Sequence, residues 1–170
     1  MRITLALLVG TLALVGCGGG VSHRIVTTNA ATTTAPSGPA LAVGAGAKTL
    51  YQSEGWAVVQ QGSRVVALHL VGSTWRPDRS RAVRVQILGP GRLATQQPQV
   101  AAQISASSDL VETGLWVDGE VLKVKGGGTP RKGTIYGTTA APLAPGRHVA
   151  VAYGRTAIAA TAVTWAFRVV

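Results

Sequence analysis

The stretch that decides the fold class reads Ala82-Val83-Arg84-Val85-Gln86-Ile87-Leu88. Apolar and polar side chains alternate along it, and successive side chains of a β-strand point to opposite faces. The stretch ends at Gly89-Pro90-Gly91, which is typical of a turn. It therefore predicts a strand with one face toward a core and the other toward solvent.

Two similar runs precede this strand. They are Trp56-Ala57-Val58-Val59-Gln60 and Arg64–Val71, and the intervening Gln61-Gly62-Ser63 favours a hairpin. In the second run Val66, Leu68 and Leu70 share one face, and Ala67 and His69 share the other. The three runs together predict an antiparallel β-meander, which we assign to residues 48–95.

The rest of the chain continues the same pattern. Strands are predicted near residues 100–105, 115–117, 134–136, 148–153 and 161–169, and Gly126-Gly127-Gly128 is interpreted as a loop. No stretch after the first twenty residues has a helical period. The predicted fold class is all-β, with an antiparallel β-sandwich over residues 96–170.

Three short motifs of this region resemble those of bacterial immunoglobulin-like domains. They run from Leu115 to Gly119, from Leu143 to Val151 and from Trp165 to Val169. The resemblance implies an immunoglobulin-like sandwich in which Asp118-Gly119 forms a turn and Trp165 lies in the core. Domains of this family serve adhesion, spacing and binding, so the resemblance implies a scaffold and no particular activity.

The start of the chain predicts export. Met1 and Arg2 precede an apolar run from Ile3 to Val15, and then comes Leu14-Val15-Gly16-Cys17. This last motif resembles the lipobox of bacterial lipoproteins. The resemblance implies a signal peptide over residues 1–16, cleavage before Cys17, and a diacylglycerol joined covalently to the Cys17 sulfur. We expect no other cofactor.

A lipid anchor fits the length of the apolar run better than a membrane helix does. The run has about thirteen residues, whereas a spanning helix needs about 20. Two acyl chains anchor a protein firmly. We therefore expect the mature chain on the extracytoplasmic side of the cell membrane. A flexible, Gly-, Thr- and Pro-rich linker over residues 17–47 is expected to join the lipid anchor to the folded part.

The charge of the chain predicts anionic partners. Its formal net charge is +10, although only 13% of the residues are charged. A basic surface attracts polyanions, and in the cell envelope these are anionic polymers or another secreted protein; we do not expect nucleic acid. The predicted binding residues are the densest arginine cluster and the tryptophan beside it: Trp75, Arg76, Arg79, Arg81 and Arg84.

No residue pattern predicts catalysis or a metal centre. The only cysteine is the expected lipid acceptor, and no serine lies in a Gly-x-Ser-x-Gly motif. The three histidines are His23, His69 and His148, and we expect no metal site from them. The acidic residues Asp109, Glu112, Asp118 and Glu120 are interpreted as a solvated edge.

Two functions follow from these expectations. The first is a non-enzymatic, membrane-anchored lipoprotein that presents a basic β-sandwich to envelope components or to a partner protein. The alternative is an accessory or carrier lipoprotein that holds a small ligand in a pocket between the meander and the sandwich. The sequence leaves open whether the meander packs on the sandwich or forms its own unit.

Overall fold

The computed structural model describes Leu41 and residues 43–170 of the chain. The expected signal peptide, the expected lipid acceptor Cys17 and most of the expected linker lie outside the described residues. In the described part, no helix is long and apolar enough to cross a membrane.

The described residues form strands joined by turns and short irregular segments. In chain order the strands are β1 (Ala47–Ser53), β2 (Trp56–Gln61), β3 (Arg64–Val71), β4 (Thr74–Pro77), β5 (Val83–Gly89), β6 (Leu93–Ala94), β7 (Gln99–Ala106), β8 (Glu112–Val117), β9 (Glu120–Val121), β10 (Lys125–Thr129), β11 (Lys132–Thr138), β12 (Gly146–Arg155) and β13 (Ala160–Val169). The predicted all-β class is therefore confirmed.

These strands make three sheets. Sheet I has the order β1-β2-β3-β4, sheet II has the order β6-β13-β12-β8-β9, and sheet III has the order β10-β11-β7-β5. Neighbouring strands are antiparallel, except for the short parallel pair of β6 and β13. Sheet I covers only the first part of the predicted meander. Sheets II and III form an antiparallel sandwich that also takes in β5 and β6, which were predicted to belong to the meander.

Sheet II is the middle layer of the molecule. Leu115 and Val117 of β8 pack into one core with Ile104 of sheet III, whereas Trp116 of the same strand packs into a second core with Tyr51 of sheet I. Because neighbouring side chains of a strand point to opposite faces, sheet II is covered on both sides. All six residues of β8 are buried as a result.

The second core answers the question that the sequence left open. It joins aromatic and aliphatic side chains of sheet I to those of sheet II: Tyr51, Trp56, Val58, Ala67, Trp116, Val151, Tyr153 and Ala160. Each large apolar side chain that is fully buried stabilises the fold by about 1.5–3 kcal/mol. The meander therefore packs on the sandwich as a third layer.

One predicted strand pairs differently from expectation. Residues 83–89 do form a strand, but β5 pairs with β7 of sheet III and not with the hairpin of β2 and β3. The prediction that it is the third strand of the meander is wrong. Strands β1 and β4 complete sheet I instead.

The glycine run also differs from its prediction as a loop. Gly126, Gly127 and Gly128 lie within β10, which pairs with β11 along the edge of sheet III. A Cβ atom at Gly126 would lie 2.6 Å from the Thr134 carbonyl oxygen, closer than packed atoms approach. The glycines therefore let the edge strand lie tightly against its neighbour.

Candidate functional site

A short segment, residues 78–82, carries the chain from sheet I to sheet III past the start of β13. The Asp78 carboxylate accepts hydrogen bonds from the backbone N–H of Ala160 at 2.6 Å and of Ser80 at 2.7 Å. At the end of the segment, the Thr161 hydroxyl of β13 donates a hydrogen bond to the Val83 carbonyl oxygen of β5 at 2.9 Å. These bonds fix the crossing segment, and with it the arginines that it carries, to the middle layer.

The four predicted binding arginines lie on or beside this segment. Arg79 and Arg81 belong to it, Arg76 precedes it on the edge strand β4, and Arg84 follows it on the edge strand β5. All four side chains are exposed. We call this stretch of chain, from Arg76 to Arg84, the arginine flank; it passes between the two outer layers.

The predicted aromatic member does not share a surface with its neighbour. Trp75 is half-buried and pairs with Leu70 of β3, whereas Arg76 pairs with His69. Adjacent residues of a strand project from opposite faces. His69 is paired with Trp56, which packs toward sheet II, so Arg76 lies on the inner face of sheet I. Trp75 therefore lies on the opposite face of sheet I from Arg76.

The six Asp and Glu side chains all have partners. Glu54 and Glu112 bind Arg155, Asp109 binds Arg131, Glu120 lies 3.8 Å from Lys48, Asp118 binds His148, and Asp78 accepts the backbone bonds described above. In the described part of the chain, the other lysines and arginines, including the four of the flank, have no carboxylate oxygen within 4.0 Å. The surface therefore carries a positive charge that the protein itself does not balance.

A buried ion pair between two strands of the middle layer, Arg155 with Glu112, is bonded to the meander through Tyr51 and Glu54. Arg155, at the end of β12, donates from Nε to the Glu112 carboxylate of β8 at 2.9 Å and from a terminal nitrogen to Glu54 at 2.8 Å. The Tyr51 hydroxyl of β1 donates to the same oxygen of Glu112. The expectation that Glu112 belongs to a solvated edge is wrong, because its side chain is only 9% exposed.

The pKa values in this network follow from burial and from its hydrogen bonds. Burial, and then the bond to the Glu112 carboxylate, raises the pKa of Tyr51 to about 12. Burial opposes the charge of Arg155, but its bonds to Glu112 and Glu54 outweigh this and raise its pKa. The tyrosine therefore stays protonated and the guanidinium stays charged at neutral pH.

This network holds the layers together and shows no site for a substrate. The two acceptor oxygens of Glu54 and Glu112 that face Arg155 are occupied, and the side chains of Arg155 and Glu112 are 7% and 9% exposed. Glu112 begins β8 and Arg155 ends β12, and no local sequence pattern pairs two residues that lie 43 positions apart.

His148 is held by two acceptors. Its Nδ1 lies 2.7 Å from the Asp118 carboxylate and its Nε2 lies 2.8 Å from the Ala144 carbonyl oxygen. Both acceptors are satisfied only when both ring nitrogens carry hydrogen. The bond to Asp118 raises the pKa of His148 against the opposing effect of burial, and the bond to Ala144 adds to it. The ring pins the turn after β8 to the turn before β12.

The described residues offer little for metal or small-ligand chemistry. No group of three or more His, Cys, Asp and Glu side chains that could hold a metal ion occurs among residues 43–170. An open depression of about 700 Å³ is lined by residues 93–97, Pro142 and Val170. It lies at the β6 edge of sheet II, away from both the arginine flank and the buried ion pair.

Comparisons with protein-family models, with curated proteins and with solved structures find no significant match for this chain. What the protein does is therefore inferred from its own geometry and charge.

Proposed function

We propose that this protein is a membrane-anchored lipoprotein on the extracytoplasmic side of the cell, with no enzymatic activity. In this proposal a diacylglycerol on Cys17 holds the mature chain on the bilayer, and an immunoglobulin-like β-sandwich presents a basic surface to envelope components or to a partner protein. The anchor rests on the lipobox-like motif, and the binding role rests on the surface charge.

The observation that carries the binding role is the imbalance of charges at the surface. Each of the six Asp and Glu side chains has a partner within the protein, whereas the arginines of the flank have no acidic partner in the described part of the chain. An unbalanced cationic surface raises the local concentration of anions and speeds their association. An anionic envelope component supplies the missing counter-charge.

No observation favours the carrier function over this one. The space between sheets I and II, where we expected a pocket, is occupied by packed side chains such as Trp56, Trp116 and Tyr153. The depression described above lies elsewhere.

The test uses the full chain with C17S, because an acylated chain would bind an envelope through its lipid alone. We expect this variant to sediment with isolated cell envelopes at low ionic strength and to be released at about 1 M salt, where the screening length falls to about 3 Å. We expect the triple variant R79Q, R81Q and R84Q to bind at least tenfold more weakly. Binding that ignores both salt and these substitutions would refute the proposal.

A further inference from the structure

The outer face of sheet III carries neutral polar side chains and a few basic ones. Directly opposed residues of paired strands project from the same face, so the strand register assigns its members. One row is Arg84, Ser105, Lys132 and Thr129, the next is Gln86, Gln103, Thr134 and Gly127, and a third contains Ala101, Tyr136 and Lys125. Gln99 and Thr138 follow beyond them.

This face has no acidic residue. None of the strands β5, β7, β10 and β11 contains an aspartate or a glutamate. Its cations are Arg84, Lys125 and Lys132, all exposed and all without a carboxylate partner among the described residues. Asp109, at the rim, is occupied by Arg131 at 3.2 Å.

Most of the face consists of neutral groups that both donate and accept hydrogen bonds. The side chains of Gln86 and Gln103 are amides, and those of Ser105 and Thr134 are hydroxyls. Tyr136 is 38% exposed and offers part of its ring. Apart from Tyr136, and from Leu88 at the bulge of the edge strand, the outward side chains are not large and apolar.

The dimensions of the face suit an extended chain. Strands lie about 4.8 Å apart and residues of one face repeat about every 6.8 Å along a strand. Arg84 and Lys132 share a row and are separated by two strand spacings, which places their Cα atoms about 10 Å apart. Spaced cations on a field of amides and hydroxyls match a ligand with many hydroxyl groups and an occasional acid group.

We propose that the outer face of sheet III binds an extended anionic polysaccharide, whose acid groups lie on Arg84, Lys125 and Lys132. Its hydroxyl groups bond to the glutamine and threonine side chains, and one sugar ring packs on Tyr136. A bilayer surface fits less well, because interfacial binding needs a row of apolar side chains to insert. The proposal rests on the proposed function and names its partner and its site.

The test uses the purified full chain in a non-ionic detergent and three immobilised polymers: polygalacturonate, neutral dextran and polyglutamate. We expect tightest binding to polygalacturonate. The double variant K125Q with K132Q should bind polygalacturonate at least tenfold more weakly than the native chain. The matched control, R147Q with R168Q, removes the same charge from an exposed cross-strand pair of sheet II. It should change the affinity for polygalacturonate less than threefold.

A second pair of variants separates sugar recognition from charge. Q103A with Y136A leaves the net charge unaltered, so it should weaken binding to polygalacturonate at least fivefold and leave binding to polyglutamate unchanged. Two results would overturn the polysaccharide site. One is an equal loss of polygalacturonate affinity in K125Q with K132Q and in R147Q with R168Q; the other is unchanged binding of polygalacturonate by Q103A with Y136A. Either result leaves the proposed function standing if the chain still binds envelopes in a salt-sensitive way.

Discussion

Replacing Arg155 by methionine should strand a buried carboxylate. Glu112 is 9% exposed and receives the guanidinium at 2.9 Å, so R155M leaves its charge with only the Tyr51 hydroxyl as partner. Removing one member of a buried pair typically costs about 3–5 kcal/mol. Glu54 is 73% exposed and is resolvated when the arginine is lost, so it adds little to the cost.

Urea unfolding of the full chain, followed by tryptophan fluorescence, measures this cost. Two of the four tryptophans, Trp56 and Trp116, lie in the core between sheets I and II, so the change in emission includes that interface. We expect R155M to lower the free energy of unfolding by about 3–5 kcal/mol, and the control E54Q to lower it by about 1 kcal/mol or less.

A double variant gives the sharper test of the reasoning. A glutamine at position 112 keeps an acceptor for the Tyr51 hydroxyl and removes the stranded charge. R155M with E112Q should therefore be more stable than R155M alone, although it loses one more native side chain. If R155M costs less than about 1 kcal/mol, or if adding E112Q destabilises it further, Arg155 does not compensate a buried charge on Glu112 as described.

Three shorter predictions concern other parts of the chain. The pKa of His148 is raised, so its hydrogen bonds stabilise the fold fully below about pH 6.5, the pKa of an unfolded histidine, and are lost as pH rises through the folded value. Urea midpoints of the native chain should fall across that window relative to H148Q, and parallel pH profiles would contradict this. At Gly128, φ is +145° and a Cβ would lie 2.3 Å from the Lys132 carbonyl oxygen, so G128A should cost about 1–3 kcal/mol in urea unfolding. G127A meets nothing within 4 Å and should be nearly neutral; equal effects would argue against the close pairing of the edge strand. Mass spectrometry of the native chain should show a diacylglycerol on Cys17 and no residues 1–16, and an unmodified thiol on an intact N-terminus would exclude the anchor.

Alternation in the sequence predicted β2, β3 and β5, but β1 and β4 were not predicted. In β5, Val83 is buried and Arg84 is exposed, as their alternation predicts. In β8 the alternation is absent, because both faces of the middle sheet are covered, and an apolar run of this kind does not reveal which side chain enters which core. The glycine edge strand was missed for a related reason: without side chains, β10 has no pattern to read.

The candidate sites were predictable only in part. The basic composition and the arginine cluster are visible in the sequence, and the structure leaves Arg76, Arg79, Arg81 and Arg84 exposed along the segment that joins sheets I and III. The outer face of sheet III was not visible, because its residues come from strands that are separated along the chain and meet only through their register.

By itself, the sequence determined an all-β chain with a basic surface, since alternation and charge are properties of neighbouring residues. Only the tertiary structure decided that there are three layers, that β5 leaves the meander for sheet III, and that Glu112 is buried against Arg155. These outcomes depend on which distant strands exclude water from each other. The burial that selects them arises between residues far apart in the chain, where a local pattern carries no information.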